Sequence, residues 1–192
     1  MPLKPDTVLN RDNCLPLLLL AFRSNEVVKA LVFLPAVSDD FYLLSRNRPK
    51  LNLRAENLMS AITALTKATS VRATFRPPFL LLHLERESLE PVLRIVNRPH
   101  AERLKQEHHF SDVNWVDAHW ERVQPWLENA LSTEVLPAAR SGQAWHFARH
   151  NLAGWDLSDW EVLSALSLTG HTTIAVKRSS LVFSLGQEMP PR

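Results

Sequence analysis

Glycine is nearly missing from this chain. Of 192 residues only Gly142, Gly154, Gly170 and Gly186 are glycine, so nothing before position 142 offers one. Dinucleotide and P-loop cradles need glycines where the backbone approaches a phosphate, and both are excluded. Cysteine is reduced to Cys14, which rules out an internal disulfide and any zinc site built from cysteines. Its neighbour Leu15 and the nearby run Leu17 to Ala21 are the setting of a buried, inert thiol rather than a nucleophile. Long apolar runs are absent too. The longest, Leu15 to Phe22, is about eight residues, against roughly twenty for a bilayer span. Asp6, Arg11 and Asp12 precede it, and Arg23 to Glu26 follow without a small-residue cleavage pattern, so it is not a signal peptide. As written, the chain is expected to be soluble and cytoplasmic. A trimmed upstream signal or anchor would instead place it in the periplasm or envelope.

A dense basic tract is also lacking. Residues 1–100 hold 14 Lys/Arg against 9 Asp/Glu, a net +5, and residues 101–192 hold 8 against 11, a net −3. So mild an imbalance argues against a dedicated nucleic-acid binder. What is present is ordinary for a globular protein: 45% apolar and 22% charged residues, with 13 prolines supplying part of the punctuation that glycine usually gives.

Along the chain, residues 1–10 read as a loose leader, followed by a helix to about Ser24 capped by Asp12 or Asn13. Glu26 to Leu34 and Phe41 to Ser45 read as strands. A unit then follows that occurs twice. Leu51 to Asn57 leads into an amphipathic helix, with Leu58, Ile62, Leu65 and Ala68 on one face, and then into strands Val71 to Phe75 and Phe79 to Leu84. Asn57 is placed as the helix cap. Near the C-terminus, Trp145 to Asn151 leads through a longer segment to a helix over Leu157 to Thr169, then to strands Thr173 to Lys177 and Leu181 to Leu185. Ser158 and Glu161 make a capping-box pattern there, and Gly170 ends the helix. Val92 to Val96 is a further strand, read as an extension of the first sheet. Residues 101–141 read as a helical connector, with one helix from Ser111 or Asp112 to Val123 and another beginning at Pro125. The expected fold class is therefore α+β. Two βαββ units with small mixed or antiparallel sheets are joined by the connector. The domain limits are 1–100 (first repeat 51–85), 101–141 and 142–187, with a tail at 188–192.

Residues 51–85 resemble the short N-terminal domain of outer-membrane secretins and TonB-dependent receptors. The resemblance rests on the alternating Leu51 and Leu53, Ala55 to Leu58, the helix opening at Ala61 and Ile62 and closing on Leu65 to Ala68, and the turn Thr69 to Val71 before two strands. The second copy departs from the pattern by an insertion of about seven residues after Asn151. The glycine usual after the helix is Ser70 in the first copy and Gly170 in the second. The resemblance implies a non-catalytic module that docks partners or stacks at the cell envelope, and it carries no catalytic residue.

Chemistry-bearing clusters are weak. The histidines (His83, His100, His108, His109, His119, His146, His150, His171) show no metal-ligand spacing, so neither metal nor cofactor is expected. No nucleophile elbow is present. Asp156 and Asp159 flank a helix start, where the helix dipole favours negative charge. The tryptophans read as core and helix packing, apart from Trp155 in a glycine-containing lead-in. With Asn151 and Arg149, Trp155 is the candidate partner contact. Three functions compete. The favoured one is a non-enzymatic protein-interaction or scaffold module that uses its strand edges, with a protein partner of unknown identity. The alternative is a metal- or acid-dependent hydrolase using His146, His150, Asp156 and Asp159, and the third is nucleic-acid binding through the basic half. Arg94 and Arg98 on one outer strand, and Lys177 and Arg178 beside another, are charges that blunt edge pairing. They favour a monomer.

Overall fold

The computed structural model describes residues 7–10, 13–14, 16–18, 28–34, 42–51, 58–85, 87–107, 110–137 and 149–185. Asn57, His108, His109, Trp145, His146, the turn at Ser141 and Gly142, and the tail from Glu188 lie outside them. The chain is α+β and divides into two compact units, Met1–Glu87 and Ser88–Arg192.

In the first unit, residues 7–10 of the expected loose leader are ordered against the chain. Thr7–Val8 (β1) pairs antiparallel with Lys50–Leu51 (β3), Thr7 opposite Leu51. Asn13 and Cys14 and residues 16–18 are helical. Ala30–Phe33 (β2) is buried along its whole length, as is Phe79–His83 (β5), with which it pairs in parallel. Such unbroken apolar runs suit strands covered on both faces. Arg72–Arg76 (β4) closes an antiparallel hairpin with β5 across the cis Pro77–Pro78 peptide. The segment read as a strand over Phe41 to Ser45 is instead the helix Tyr42–Asn47 (α1). A short apolar run carries no period of its own, and α1 packs on Leu58–Ala68 (α2), where the Asn47 side-chain amide donates to the Ala68 carbonyl. The buried face of α2 is the expected stripe, Leu58, Ala61, Ile62, Leu65 and Ala68.

The second unit begins with Val92–Ile95 (β6), which pairs in parallel with Thr172–Val176 (β10) and so does not extend the first sheet. Arg98–Gln106 (α3) follows, capped by Asn97. The expected connector is not simply helical. Phe110–His119 (β7) is a ten-residue strand where Ser111 or Asp112 was expected to open a helix. Trp120–Leu131 (α4) runs uninterrupted through Pro125, because Trp120, Val123, Leu127 and Leu131 form one buried stripe. Glu134–Pro137 (β8), Arg149–Leu157 (β9), the helix Asp159–Gly170 (α5), β10 and Ser180–Leu185 (β11) complete the chain. β7 pairs antiparallel with β9, and a separate four-stranded mixed sheet has the order β6-β10-β11-β8.

Strand–helix–strand–strand order thus occurs as β3-α2-β4-β5 and as β9-α5-β10-β11. In neither case is the leading strand hydrogen-bonded to the hairpin after it: β3 goes to β1, and β9 to β7. The helix α5 has the predicted capping box, Ser158 with Glu161. It has no solvent face, however. Asp159 and every residue from Val162 to Thr169 are buried, and α5 packs on β9, on β6 and β10, and on α3.

Gly170 closes α5 where an added Cβ would lie 3.0 Å from Thr172 Cγ2 and 3.2 Å from His150 Cε1. Alanine normally gains about 1 kcal/mol over glycine in a helix. Here Gly170→Ala is expected to lose stability, by about 1 kcal/mol through overpacking, and denaturant titration reads the sign. Cys14 is fully buried and its thiol is pushed up to about 12 by desolvation. Native protein is therefore expected to leave a thiol reagent unconsumed until denaturant unfolds the first unit.

Candidate interaction surface

The four-stranded sheet has one covered face and one open face. Ile174, Val176, Leu181, Phe183 and Val135 are fully buried on the inner face. Registered partners in adjacent strands share a face. The pairs Ala175 with Arg94, Ala175 with Val182, and Val182 with Leu136 therefore run together across the outer one. Val92 and Arg94 on β6 with Val96 just past it, Thr173 and Ala175 on β10 with Lys177 just past it, Val182 and Ser184 on β11, and Glu134 and Leu136 on β8 make up this outer face. All are half-buried or exposed. It carries small and aliphatic side chains with charges at its margins, and no aromatic ring.

The two edges of the sheet differ. On β8 the Val135 N–H donates to Glu128 Oε1 at 3.2 Å, and Gln124 Nε2 donates to the Val135 carbonyl at 3.0 Å. Gln124 and Glu128 stand one helical turn apart on α4 and are themselves joined at 3.2 Å. They take the donor and acceptor a further strand would use. At β6 the inward groups are accounted for. The Val92 N–H donates to Ser167 Oγ at 2.8 Å, while that hydroxyl donates to the Thr172 carbonyl at 2.6 Å, and the Val96 N–H reaches the Val176 carbonyl at 3.0 Å. In a parallel ladder alternate residues face the neighbour. Leu93 and Ile95 therefore turn their N–H and C=O groups outward, with Ile95 45% and Val96 61% exposed. The outer strands β4 and β7 are guarded by charge or bulge. On β4, exposed Phe75 lies beside Arg76, and Arg72 pairs with Glu85 at 2.8 Å. β7 exposes Asp112 and Asp117 and is bulged between Trp115 and Ala118, with Asp117 at φ 50°.

Four cations gather at the end of the β6 edge. Arg94 stands two residues before Val96, whose N–H meets Val176, and Arg98 opens α3. Lys177 and Arg178 follow β10, and the Lys177 carbonyl accepts from His100 Nδ1 at 2.7 Å. All four side chains are exposed, and none forms an ion pair among the described residues. Of the charges the sequence places on two separate strands, Arg94 lies on β6, Arg98 opens α3 instead, and Lys177 and Arg178 come just after β10, the strand that β6 pairs with.

The sequence-nominated contact residues lie elsewhere. Trp155 is not in a loop. It sits half-buried on β9, paired with Asp112. Asn151 is committed to the β7 bulge, its Oδ1 accepting from the Asp117 N–H at 2.8 Å. Arg149 opens β9 opposite His119. The hydrolase candidates among the described residues, His150, Asp156 and Asp159, do not converge. His150 and Asp156 are separated by most of β9, roughly 20 Å at strand rise. Asp159 begins α5, whereas His150 bonds to Thr169 near its other end, about 15 Å along the axis. Among the described residues no three His, Cys, Asp or Glu side chains could share a metal ion. The described tryptophans of α4 and β7 are packed: Phe110 stacks on Trp126 at 4.6 Å, Trp115 meets Trp126 edge-on at 4.8 Å, and Trp120 lies 4.8 Å from Phe183. No helix among the described residues is long and apolar enough to cross a membrane.

Comparison with family models, curated proteins and solved structures finds no match to this chain. Sequence reasoning missed Gln124, Glu128 and Ser167. The only sequence signal was the four-residue Gln–Glu spacing on the polar side of α4.

His150 is 99% buried against Trp120. Its Nδ1 lies 2.8 Å from Thr169 Oγ1 and its Nε2 makes no hydrogen bond among the described residues. Desolvation lowers it from 6.5 to about 4. The unfolded chain then binds the proton first. Stability is unaffected above pH 6.5 and falls as pH drops from 6.5 towards 4, by about 3 kcal/mol in full. His150→Asn, which keeps a donor towards Thr169, is expected to flatten this acid limb in denaturant titrations from pH 8 to about 4.

Proposed function

We propose that the chain is a non-enzymatic protein-interaction module that receives an extended partner segment along the outer edge of β6. One contrast carries the reading. β8, the other edge of the same sheet, is closed by Gln124 and Glu128, while β6 offers the outward backbone groups of Leu93 and Ile95 with exposed Ile95 and Val96 beside them. An edge of this kind pairs with added strands, main-chain hydrogen bonds giving affinity and alternate side chains giving selectivity. The dispersal of His150, Asp156 and Asp159 weighs against the hydrolytic alternative. The ring-free outer face weighs against base stacking, which single-stranded nucleic acid would need. The envelope setting is part of this proposal and rests on the resemblance of residues 51–85 to the short secretin and TonB-receptor domain.

Ile95→Pro removes an outward donor while leaving the inward ladder to β10 intact, a position where edge strands tolerate proline. A photo-crosslinking residue at Val96, in the native host, is expected to give one discrete protein adduct that Ile95→Pro abolishes with circular dichroism unchanged. An adduct that persists in Ile95→Pro, or one that forms equally from Thr63 on α2, would sink the edge as the contact.

A further inference from the structure

We infer that the segment received by β6 is acidic at one end, and that its carboxylates are held by the corner of Arg94, Arg98, Lys177 and Arg178. This inference rests on the edge reading above and adds the chemistry of the partner. A carboxylate within the chain would satisfy such charges without a partner. These four find none among the described residues, although Glu90 stands only four positions from Arg94 in sequence.

Their placement is directional. Arg94 and Val96 leave β6 on the outer face, in register with Ala175 and in line with Lys177, while Arg98 and Arg178 follow immediately at the same end of the two strands. With strands about 4.8 Å apart and a rise of about 3.3 Å per residue, Arg94 and Lys177 lie within roughly 10 Å of one another and of a strand added beside β6. An added strand would therefore have its middle against Leu93 and Ile95 and one end in a field of four positive charges. A parallel addition places the acidic end at the partner's C-terminal side, an antiparallel one at its N-terminal side. The same charges argue against a second copy. Two β6 edges paired antiparallel about a twofold axis would bring Arg94 of each molecule close to the other, and like charges across paired strands are unfavourable. The basic corner thus separates an acidic stranger from self.

The test uses the whole chain and fluorescein-labelled peptides. Each peptide has a core of about six alternating valines and threonines, enough to span the four residues of β6. One carries a run of glutamates at the N-terminus, another at the C-terminus, and two counterparts carry lysines instead. Anisotropy is expected to show one glutamate peptide binding at least about tenfold tighter than its lysine counterpart at low salt. That gap should close near half-molar salt, where the Debye length is a few ångströms. Arg94→Glu with Lys177→Glu, both on the surface, should reverse the preference. Arg94→Gln with Lys177→Gln should abolish it with unchanged circular dichroism. Methylating alternate peptide amides should remove binding altogether.

Equal binding of glutamate and lysine peptides, lost on N-methylation, would overturn the acidic partner and leave the edge reading standing. A charge preference that survives N-methylation would overturn strand addition itself. No binding by either glutamate peptide, or a dimer by light scattering that these peptides cannot displace, would overturn the inference in favour of another occupant or a second copy.

Discussion

The second unit depends on a helix that has no side to show to water. In α5 the residues Val162, Leu163, Ala165, Leu166 and Leu168 point around the whole circumference and all are buried. A helix apolar on every side is stable only when enclosed. The polar residues among them are spent locally: Ser164 Oγ donates to the Trp160 carbonyl, Ser167 Oγ to the Thr172 carbonyl, and Thr169 Oγ1 to the Leu166 carbonyl. Even the start of the helix is tied in, since the Asp159 N–H donates to the Glu107 carbonyl at the end of α3. Enclosure explains why the strands before and after α5 belong to different sheets. β9 covers it from the β7 side, and β10 with β6 covers it from the other. A helix laid on one small sheet would have left half of these leucines and valines in water, at roughly 25 cal/mol for every square ångström.

Enclosing α5 fixes the inner face of the four-stranded sheet and leaves its outer face and two edges to be settled by other means. β8 is settled by side chains. Gln124 presents a donor and Glu128 an acceptor at the spacing a strand would offer, because residues four apart on a helix sit one above the other. β6 is settled on its inward side only, where the Ser167 hydroxyl bridges the Val92 N–H and the Thr172 carbonyl. Position 167 thus serves the helix interior and the ladder together.

Much of the fold was legible locally. Ser158 and Glu161 announce a helix start because the capping box is a four-residue affair, and the stripe on α2 has a single clean period. β7 was not legible. Its buried positions, Phe110, Val113, Trp115 and Ala118, fall three, two and three apart, and the bulge after Trp115 accounts for the last of these. Such spacing mixes strand and helix periods, and Ser111 and Asp112 imitate a cap. Pro125 misled in the other direction, since four buried side chains of α4 outweigh one lost hydrogen bond. The candidate surface was half legible. Arg94, Arg98, Lys177 and Arg178 stand out as isolated charges, but their convergence depends on β6 pairing with β10 across some eighty residues. No local pattern encodes that partner.

The guard on β8 has a consequence for stoichiometry. Strand-by-strand growth into a fibre requires an acceptor on each side of a sheet, so that every added copy regenerates the site it has filled. Here the far side is plugged by the protein's own helix, and pairing at β6 regenerates nothing. Whatever docks there terminates the array: through this sheet the molecule can be the end of a chain of strands but never a link in one.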